Sequence, residues 1–263
     1  MRKIIAVGKI FLFLITTFYH YSLIILGKLF SFLGYDEIKW AALQRRKWGQ
    51  SVIKVLGINI SVKGTPPKPP FFMVSNHLSY VDVWLFFSQL DCTFIAKSDV
   101  KDWPVIGFVL ASSGVLFIDR EKRSDVARVN EEVSKKLNSS QGIVLFPEGT
   151  TSAGVEILPF KSSLFQFPAS QNLPVHCASI HYETPEYEKP AYQSICWWDD
   201  TPFFDHLFYL FMMKEFSATI TFSADVVTNS DRKVLTQSSQ EIVRESFVPV
   251  IDPEKYAQAH PGN

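Results

Sequence analysis

Residues 71–90 read FFMVSNHLSYVDVWLFFSQL, in which an apolar run, a polar loop and a second, longer apolar segment follow one another. Phe71–Val74 has the length of a buried strand, and Tyr80–Leu90 has the length of a helix packed into a core. The polar residues lie between them, directly after the strand. In α/β proteins this is where functional groups are commonly placed, so the stretch predicts both a fold class and a site.

The same alternation of strand-length and helix-length segments continues along the chain. It is typical of an α/β fold in which helices sandwich a mixed sheet. Further strands are predicted at Asn59–Lys63, Thr93–Ala96, Val115–Ile118, Ile143–Phe146, Val175–Ile180, Gln193–Trp197 and Ala218–Ala224, and further helices at Gly34–Leu56, Trp103–Ala111, Arg123–Leu137, Ser162–Ala169 and Arg232–Phe247.

A proline-rich connector at Thr65–Pro70 (TPPKPP) stops any preceding helix and divides the chain into two predicted regions. Residues 1–64 are predicted to form an N-terminal membrane-associated helical region. Residues 65–263 are predicted to form the main domain, with its motif core at 71–180.

Ile10–Leu26 reads IFLFLITTFYHYSLIIL and contains no Lys, Arg, Asp or Glu. Because a helix of roughly 20 residues crosses a bilayer, this segment with its apolar flanks is long enough to do so. A cleaved signal peptide is disfavoured, since no small-x-small cleavage site follows the run. A single span and a helix lying in one leaflet both remain open, because basic residues occur on both sides.

Lys plus Arg and Asp plus Glu number 26 each, so the net charge is zero and no long-range field favours nucleic acid as a partner. Only 20% of residues are charged while 23 are Phe, which suits a protein in contact with lipid. The three cysteines match neither a zinc site nor a disulfide framework, which favours a reducing compartment. No metal site is expected, because His176 and His181 are predicted to face opposite sides of a strand.

His77 and Asp82 are the first candidates for chemistry. Five residues correspond to about 140° around a helix axis, so the two side chains can meet only if His77 lies in the loop and Asp82 in the first helical turn. Ser79-x-x-Asp82 has the form of a capping box with Ser79 as N-cap, which supports that arrangement. Asp82 could therefore orient the imidazole or merely cap the helix.

Two further polar clusters follow predicted strands. Pro147–Ser152 combines a glutamate with hydroxyl side chains, and Gly149 allows the backbone to turn tightly there. Asp119 and Arg120 follow the predicted strand Val115–Ile118, and the guanidinium of Arg120 suits a phosphate or carboxylate. A proline opens the predicted strand at Leu173–Val175.

These clusters resemble the motifs of the glycerolipid acyltransferase superfamily, of the lysophosphatidate acyltransferase type. The resemblance covers about residues 52–227, and four motifs in the right order carry it. The motifs are Asn76-His77-x-x-x-x-Asp82, Gly114–Arg120 (GVLFIDR), Phe146–Thr150 (FPEGT) and Leu173-Pro174-Val175.

The resemblance implies an acyltransferase in which His77 removes the proton of an acceptor hydroxyl as it attacks a thioester, while Asp82 holds the imidazole. The co-substrates would be acyl-CoA or acyl carrier protein and a membrane lysolipid, with no cofactor and no metal. The implied substrate-binding residues are Asn76, Ser79, Lys97, Arg120, Glu148, Gly149, Thr150 and Thr151, with Lys161 as a further candidate.

Thr151 departs from the pattern, because lysophosphatidate enzymes usually carry an arginine after the motif threonine. The sequence EGTTS resembles relatives that acylate other lysolipids. The expected acceptor is therefore lysophosphatidate or another 1-acyl lysophospholipid in phospholipid biosynthesis, with lyso-ornithine lipid as the alternative.

Two other classes of function compete with this interpretation. A serine hydrolase is disfavoured because no Gly-x-Ser-x-Gly elbow occurs, although a thioesterase would use the same histidine. A non-catalytic lipid-binding protein would be expected to have lost His77 or Asp82, and both are present. Since acyl donors are cytosolic, the active site is expected at the cytoplasmic face of the membrane.

Overall fold

The computed structural model describes residues 2–30, 32, 34, 36–102, 107, 114–118, 131–137 and 140–260. The helices are α1 (Arg2–Leu29), α2 (Glu37–Leu56), α3 (Val81–Gln89), α4 (Gln166–Ser170), α5 (Ala191–Ser194), α6 (Phe203–Met212), α7 (Arg232–Ser246) and α8 (Pro253–Ala259). Residues 131–137 are also helical, and Ser98–Asp102 and Ser162–Phe165 form 3-10 turns. The strands are β1 (Ile58–Lys63), β2 (Phe72–Ser75), β3 (Cys92–Lys97), β4 (Leu116–Ile118), β5 (Gly142–Leu145), β6 (Val175–Glu183) and β7 (Phe216–Val227).

Over the described residues these strands form a single sheet in the order β1-β7-β6-β2-β5-β3-β4. The five strands from β6 to β4 are parallel to one another, whereas β7 is antiparallel to β6 and parallel to β1. The predicted α/β fold with a mixed sheet is confirmed. The central strands β2 and β5 are buried along their whole length, as expected for parallel strands covered on both faces.

Successive residues of β2 enter two different hydrophobic cores, because side chains alternate across a strand. Met73 joins the core beneath α2, α3 and α6, which also contains Trp48, Phe86 and Phe211. Phe72 and Val74 join the core beneath α7. The sheet is therefore sandwiched between two helical layers, and the buried hydrophobic surface of both layers holds β2 at the centre.

The pairing of β2 decides where the polar loops meet. β2 lies between β5 and β6 and runs parallel to both, with Phe72 opposite Ile143 and Val175. Because parallel strands end at the same edge of a sheet, the loops after Ser75 and Leu145 leave the sheet side by side. The two predicted polar clusters that follow β2 and β5 are thus neighbours.

Helices α1 and α2 form an antiparallel hairpin packed on the sandwich. Asp36 caps the start of α2 by accepting from the backbone N–H groups of Ile38 and Lys39, and Gly57, with φ of 77°, ends it. Hydrogen bonds tie the two helices along their length: Lys9 Nζ to Leu56 O (2.6 Å), Trp48 Nε1 to Thr17 Oγ1 (3.0 Å), His20 Nδ1 to Gln44 Oε1 (3.2 Å) and Trp40 Nε1 to Leu23 O (2.8 Å).

The outer face of α1 is apolar and exposed. Among the described residues, α1 is the one helix long and apolar enough to cross a bilayer. Its exposed side chains include Ile4, Val7, Phe11, Leu14, Ile15, Phe18, Ile25 and Leu29. The opposite face packs against α2, α3 and α6, and the ring of Phe13 contacts those of Trp84 on α3 and Phe211 on α6.

Some sequence-based elements differ from the structure. The strand predicted at Gln193–Trp197 is wrong, because Ala191–Ser194 is a short helix begun by Pro190, whose fixed φ favours a helix start. The helix predicted at Trp103–Ala111 lies outside the described residues except for residue 107, which is helical. Of the helix predicted at Arg123–Leu137, residues 131–137 are described and are helical. All three cysteines are buried and free, as the sequence predicted.

Candidate active site

Asn76 anchors the loop that follows β2. Its side chain donates from Nδ2 to Ile180 O (3.1 Å) and accepts at Oδ1 from Ile180 N (2.8 Å), so one amide satisfies both backbone groups of a residue on β6. The side chain is buried, and it therefore ties the loop to the sheet instead of facing a groove. Its role in substrate binding stays a prediction.

His77 and Asp82 meet as the spacing predicted. His77 Nδ1 lies 2.8 Å from Asp82 Oδ2, with the imidazole side chain 20% exposed and the carboxylate fully buried. Asp82 Oδ2 also accepts from the backbone N–H groups of Leu78 (2.7 Å) and Ser79 (3.1 Å). Because the carboxylate only accepts, Nδ1 carries the proton in a neutral imidazole and Nε2 offers its lone pair.

The helix cap differs in detail from the predicted capping box. The N-cap position of α3 is Tyr80, which makes no side-chain cap, and Ser79 Oγ accepts from Val81 N at 3.4 Å. The carboxylate of Asp82 does reach back to the Ser79 N–H, as in a capping box. Asp82 therefore holds the start of the helix and the imidazole at the same time. Ser79 itself is buried and contacts the loop.

The imidazole of His77 is stacked on Phe146. The two ring centroids are 4.0 Å apart and the planes are inclined by 6°. Phe146 follows β5 directly, so the parallel pairing of β2 and β5 places this ring beneath the imidazole. The hydrogen bond to Asp82 and the stacked ring together restrict the rotation of the His77 side chain.

Glu148 is buried beside the same loop. Its Oε1 accepts from the backbone N–H of His77 at 3.3 Å, and Oε2 has no hydrogen-bond partner among the described residues. Burial, assisted by the nearby charge of Asp82 and opposed by the His77 N–H, raises the pKa of this carboxyl to about 9. Glu148 is therefore protonated and neutral at neutral pH.

Thr151 connects two loops at the mouth of the site. Its hydroxyl donates to the carbonyl oxygen of Trp197, and the backbone N–H of Trp197 donates to Leu78 O at 2.9 Å. The segment around Trp197 is thereby tied to both motif loops. The Trp197 ring packs edge-on against Tyr80, at 5.9 Å between centroids, next to the His77 loop.

Some of the other predicted substrate-binding residues are described by the structure and some are not. Gly149 adopts φ of 78°, a left-handed conformation that glycine takes without strain, and it turns the backbone so that Thr150 is exposed. Lys161 is exposed as well, and its backbone N–H donates to Pro147 O. Arg120 lies outside the described residues, and so does the side chain of Lys97.

Comparison with known proteins agrees with this geometry. A model of the acyltransferase family matches residues 58–181. A 1-acyl-sn-glycerol-3-phosphate acyltransferase of Neisseria meningitidis is 30% identical over 200 residues, which cover 74% of this chain and 77% of that protein. The chain belongs to the acyltransferase family.

Two further proteins are similar to this chain. A lyso-ornithine lipid O-acyltransferase of Rhodobacter capsulatus is 30% identical over 199 residues, covering 73% of this chain and 71% of that protein. The crystal structure of the 1-acyl-sn-glycerophosphate acyltransferase PlsC of Thermotoga maritima has a TM-score of 0.61. It covers 94% of this chain and 98% of its own at 22% identity, which shows a shared fold.

Sequence reasoning missed two contacts in this acyltransferase. The hydroxyl of Tyr182 on β6 donates to Asp82 Oδ1 at 2.5 Å, and the hydroxyl of Tyr80 lies 2.8 Å from His206 Nδ1. Tyr182 lies two residues after Ile180, the partner of Asn76, and so points to the same face of the strand. No spacing rule links residues 82 and 182, because only the sheet brings them together.

We predict that the Glu148→Gln substitution changes the pH dependence of stability. In the unfolded chain the carboxyl ionises near its ordinary value, so from about pH 5 to about pH 9 the folded state binds more protons than the unfolded state. The free energy of unfolding of the wild type should therefore fall as pH rises, with a limiting slope of about 1.4 kcal/mol per pH unit.

Thermal unfolding of both proteins in detergent between pH 5 and pH 9 measures this effect. The melting temperature of the wild type should fall relative to that of the variant as pH rises. Parallel curves over this range would show that Glu148 is ionised in the folded protein.

Proposed function

We propose that this acyltransferase moves a fatty acyl group from a thioester to the hydroxyl of a membrane lysolipid, with His77 as general base and Asp82 as its orienting partner. The single observation that supports this most is the 2.8 Å contact between His77 Nδ1 and a fully buried carboxylate. It leaves Nε2, on a partly exposed ring, as the atom that accepts a proton.

The reaction balances without any further group. His77 Nε2 takes the proton of the lysolipid hydroxyl while that oxygen attacks the thioester carbonyl carbon. The tetrahedral intermediate expels the thiolate of acyl-CoA or acyl carrier protein, and the imidazolium returns the proton to that sulfur. Asp82 remains ionised and stabilises the imidazolium in between. The products are the diacyl lipid and the free thiol, and neither a metal nor a cofactor takes part.

The His77→Ala variant should lose about 10²- to 10⁴-fold in transfer rate, the usual contribution of a general base. Purified protein with a long-chain acyl-CoA and a panel of lysolipids would measure it, with thermal unfolding to verify the fold. His176→Ala is the matched control, because His176 is at the amino end of β6, at the opposite edge of the sheet from the site.

Full residual transfer by His77→Ala would contradict this mechanism. Release of free fatty acid by the wild type without acceptor, at the rate of transfer, would favour a thioesterase. A wild type with neither activity towards any donor would favour a non-catalytic lipid-binding protein.

For the acceptor, we propose lysophosphatidate or another 1-acyl lysophospholipid, with lyso-ornithine lipid as the second candidate. The observation that favours the second candidate is Thr151, which offers no positive charge at this position and whose hydroxyl is bound to the Trp197 carbonyl. Its neighbour Thr150 is exposed beside it. A cation at position 151 would add a charge-assisted contact to a phosphate monoester, which the present side chain does not supply.

Thr151→Arg should shift the ratio of activities toward lysophosphatidate and away from lyso-ornithine lipid by about 10-fold, the effect of one charge-assisted hydrogen bond. Thr151→Val is the matched control, since it removes the same bond to Trp197 without adding charge. An unchanged ratio in the arginine variant, or an equal change in the valine variant, would refute the argument about the head group.

For the membrane, we propose that α1 lies in one leaflet, with its exposed apolar face in lipid and the active site at the cytoplasmic surface. A spanning helix would have to leave α2. Hydrogen bonds instead join the two helices from Lys9 to Leu23 of α1 and from Trp40 to Leu56 of α2. An amphipathic helix that lies in the interface buries one apolar face and keeps its partner on the other.

Single cysteines introduced as Lys3→Cys and Lys39→Cys would test this placement, because both lysines are exposed, Lys3 in the first turn of α1 and Lys39 in the first turn of α2. A membrane-impermeant thiol reagent should label both from the cytoplasmic side of inverted vesicles, at similar rates. The three native cysteines are buried, which keeps the background low. Labelling of the two positions from opposite sides would show that α1 spans the bilayer.

A further inference from the structure

The carboxylate of Asp82 divides its hydrogen bonds unequally. Three donors converge on Oδ2, namely His77 Nδ1 and the backbone N–H groups of Leu78 and Ser79. The other oxygen, Oδ1, accepts from the hydroxyl of Tyr182 at 2.5 Å. Asp82 is fully buried, so this hydroxyl takes the place that water would occupy at an exposed carboxylate.

Tyr182 is held in position by the sheet. It lies on β6, opposite Ala218 of β7, and its side chain is 1% exposed. Its ring packs edge-on against Phe216, at 6.2 Å between centroids. Two residues earlier on the same face, Ile180 holds Asn76. β6 therefore hydrogen-bonds to Asn76, which precedes His77, and to Asp82.

We infer that Tyr182 is a positioning residue for the acyl transfer, and that its hydroxyl sets how strongly Asp82 holds a proton on His77. The inference rests on the proposed function in one respect, that His77 acts as the base. Tyr182 acts on the imidazole through the carboxylate of Asp82, which is the middle member of a hydrogen-bonded chain from Tyr182 to Asp82 to His77.

The direction of the effect follows from charge. A hydrogen bond to Oδ1 draws negative charge away from the carboxylate and so weakens its attraction for the imidazolium. Removal of that donor should make the His77–Asp82 pair hold its proton more tightly. A stronger donor at the same position should have the opposite effect. His77 must be neutral to act as a base. The acid limb of the pH–rate profile should therefore move to higher pH when the donor is removed and to lower pH when the donor is stronger.

Among the described residues, Glu148, Cys196 and Tyr182 are titratable groups near Asp82, and each is neutral near pH 7. Burial raises the pKa of Glu148, at the end of β5, to about 9. Burial also raises the pKa of the Cys196 thiol, after α5, and of the Tyr182 hydroxyl on β6, each well above its ordinary value. The tyrosine therefore donates as a neutral phenol.

The experiment compares the wild type, Tyr182→Phe and Tyr182→3-fluorotyrosine as full-length proteins in detergent. The fluorinated ring keeps the shape and provides a more acidic donor. The midpoint of the His77 imidazole titration, followed by NMR with the signal assigned from His77→Ala, should rise in the phenylalanine variant and fall in the fluorotyrosine variant. Each shift should be about half a pH unit or more.

Activity provides the second measurement. With a long-chain acyl-CoA and lysophosphatidate or lyso-ornithine lipid, Tyr182→Phe should lower kcat by about 10-fold with little change in KM, because the hydroxyl bonds to an ionised group and not to substrate. Tyr192→Phe is the matched control, since Tyr192 is another buried tyrosine and its hydroxyl accepts a hydrogen bond from Gln193 Nε2. It should leave both the titration and kcat unchanged.

The outcomes separate the two proposals. Opposite shifts of the titration in the two Tyr182 variants support the role of the hydroxyl even if no lysolipid is acylated, a result that would refute only the proposed function. Identical midpoints in all three proteins would overturn the inference. Should Tyr182→Phe fail to fold, an unshifted midpoint in the fluorotyrosine variant would overturn it alone.

Discussion

The pairing of β2 with β5 on one side and β6 on the other is the constraint on which the site depends. It brings residues near 77, 148 and 180 to one edge of the sheet, although they are far apart in the sequence. The reciprocal hydrogen bonds between Asn76 and Ile180 close this edge. Without them two buried backbone groups would lose their partners, at a cost of about 1–3 kcal/mol for each.

Asp82 shows how the fold makes a buried charge tolerable. A carboxylate removed from water is stable only if donors surround it. Here the donors come from the loop after β2 and from β6, so the same contacts stabilise the fold and orient the imidazole. Phe146 beneath the ring limits its rotation further. The result is one partly exposed nitrogen at the end of a rigid, buried arrangement.

Helix α3 connects the α1–α2 hairpin with the active site. Helix α3 carries Asp82 in its first turn. The ring of Trp84 on the same helix contacts both Tyr80, at the helix N-cap, and Phe13 on α1. The packing of α1 against Trp84 therefore bears on the helix that carries Asp82.

The local patterns of the sequence determined much of this protein. Apolar runs of strand length, the Ser79-x-x-Asp82 pattern and the apolar segment at Ile10–Leu26 predicted the α/β order, the meeting of His77 with Asp82 and the α1 helix, because each depends on neighbours within a few residues. The strand predicted at Gln193–Trp197 failed because Pro190 and the surrounding packing override β propensity there. Only the tertiary structure decided that Tyr182 reaches Asp82, that Glu148 is buried and neutral, and that Thr151 binds the Trp197 loop. Those contacts depend on strand order and burial, and neither is encoded by spacing along the chain.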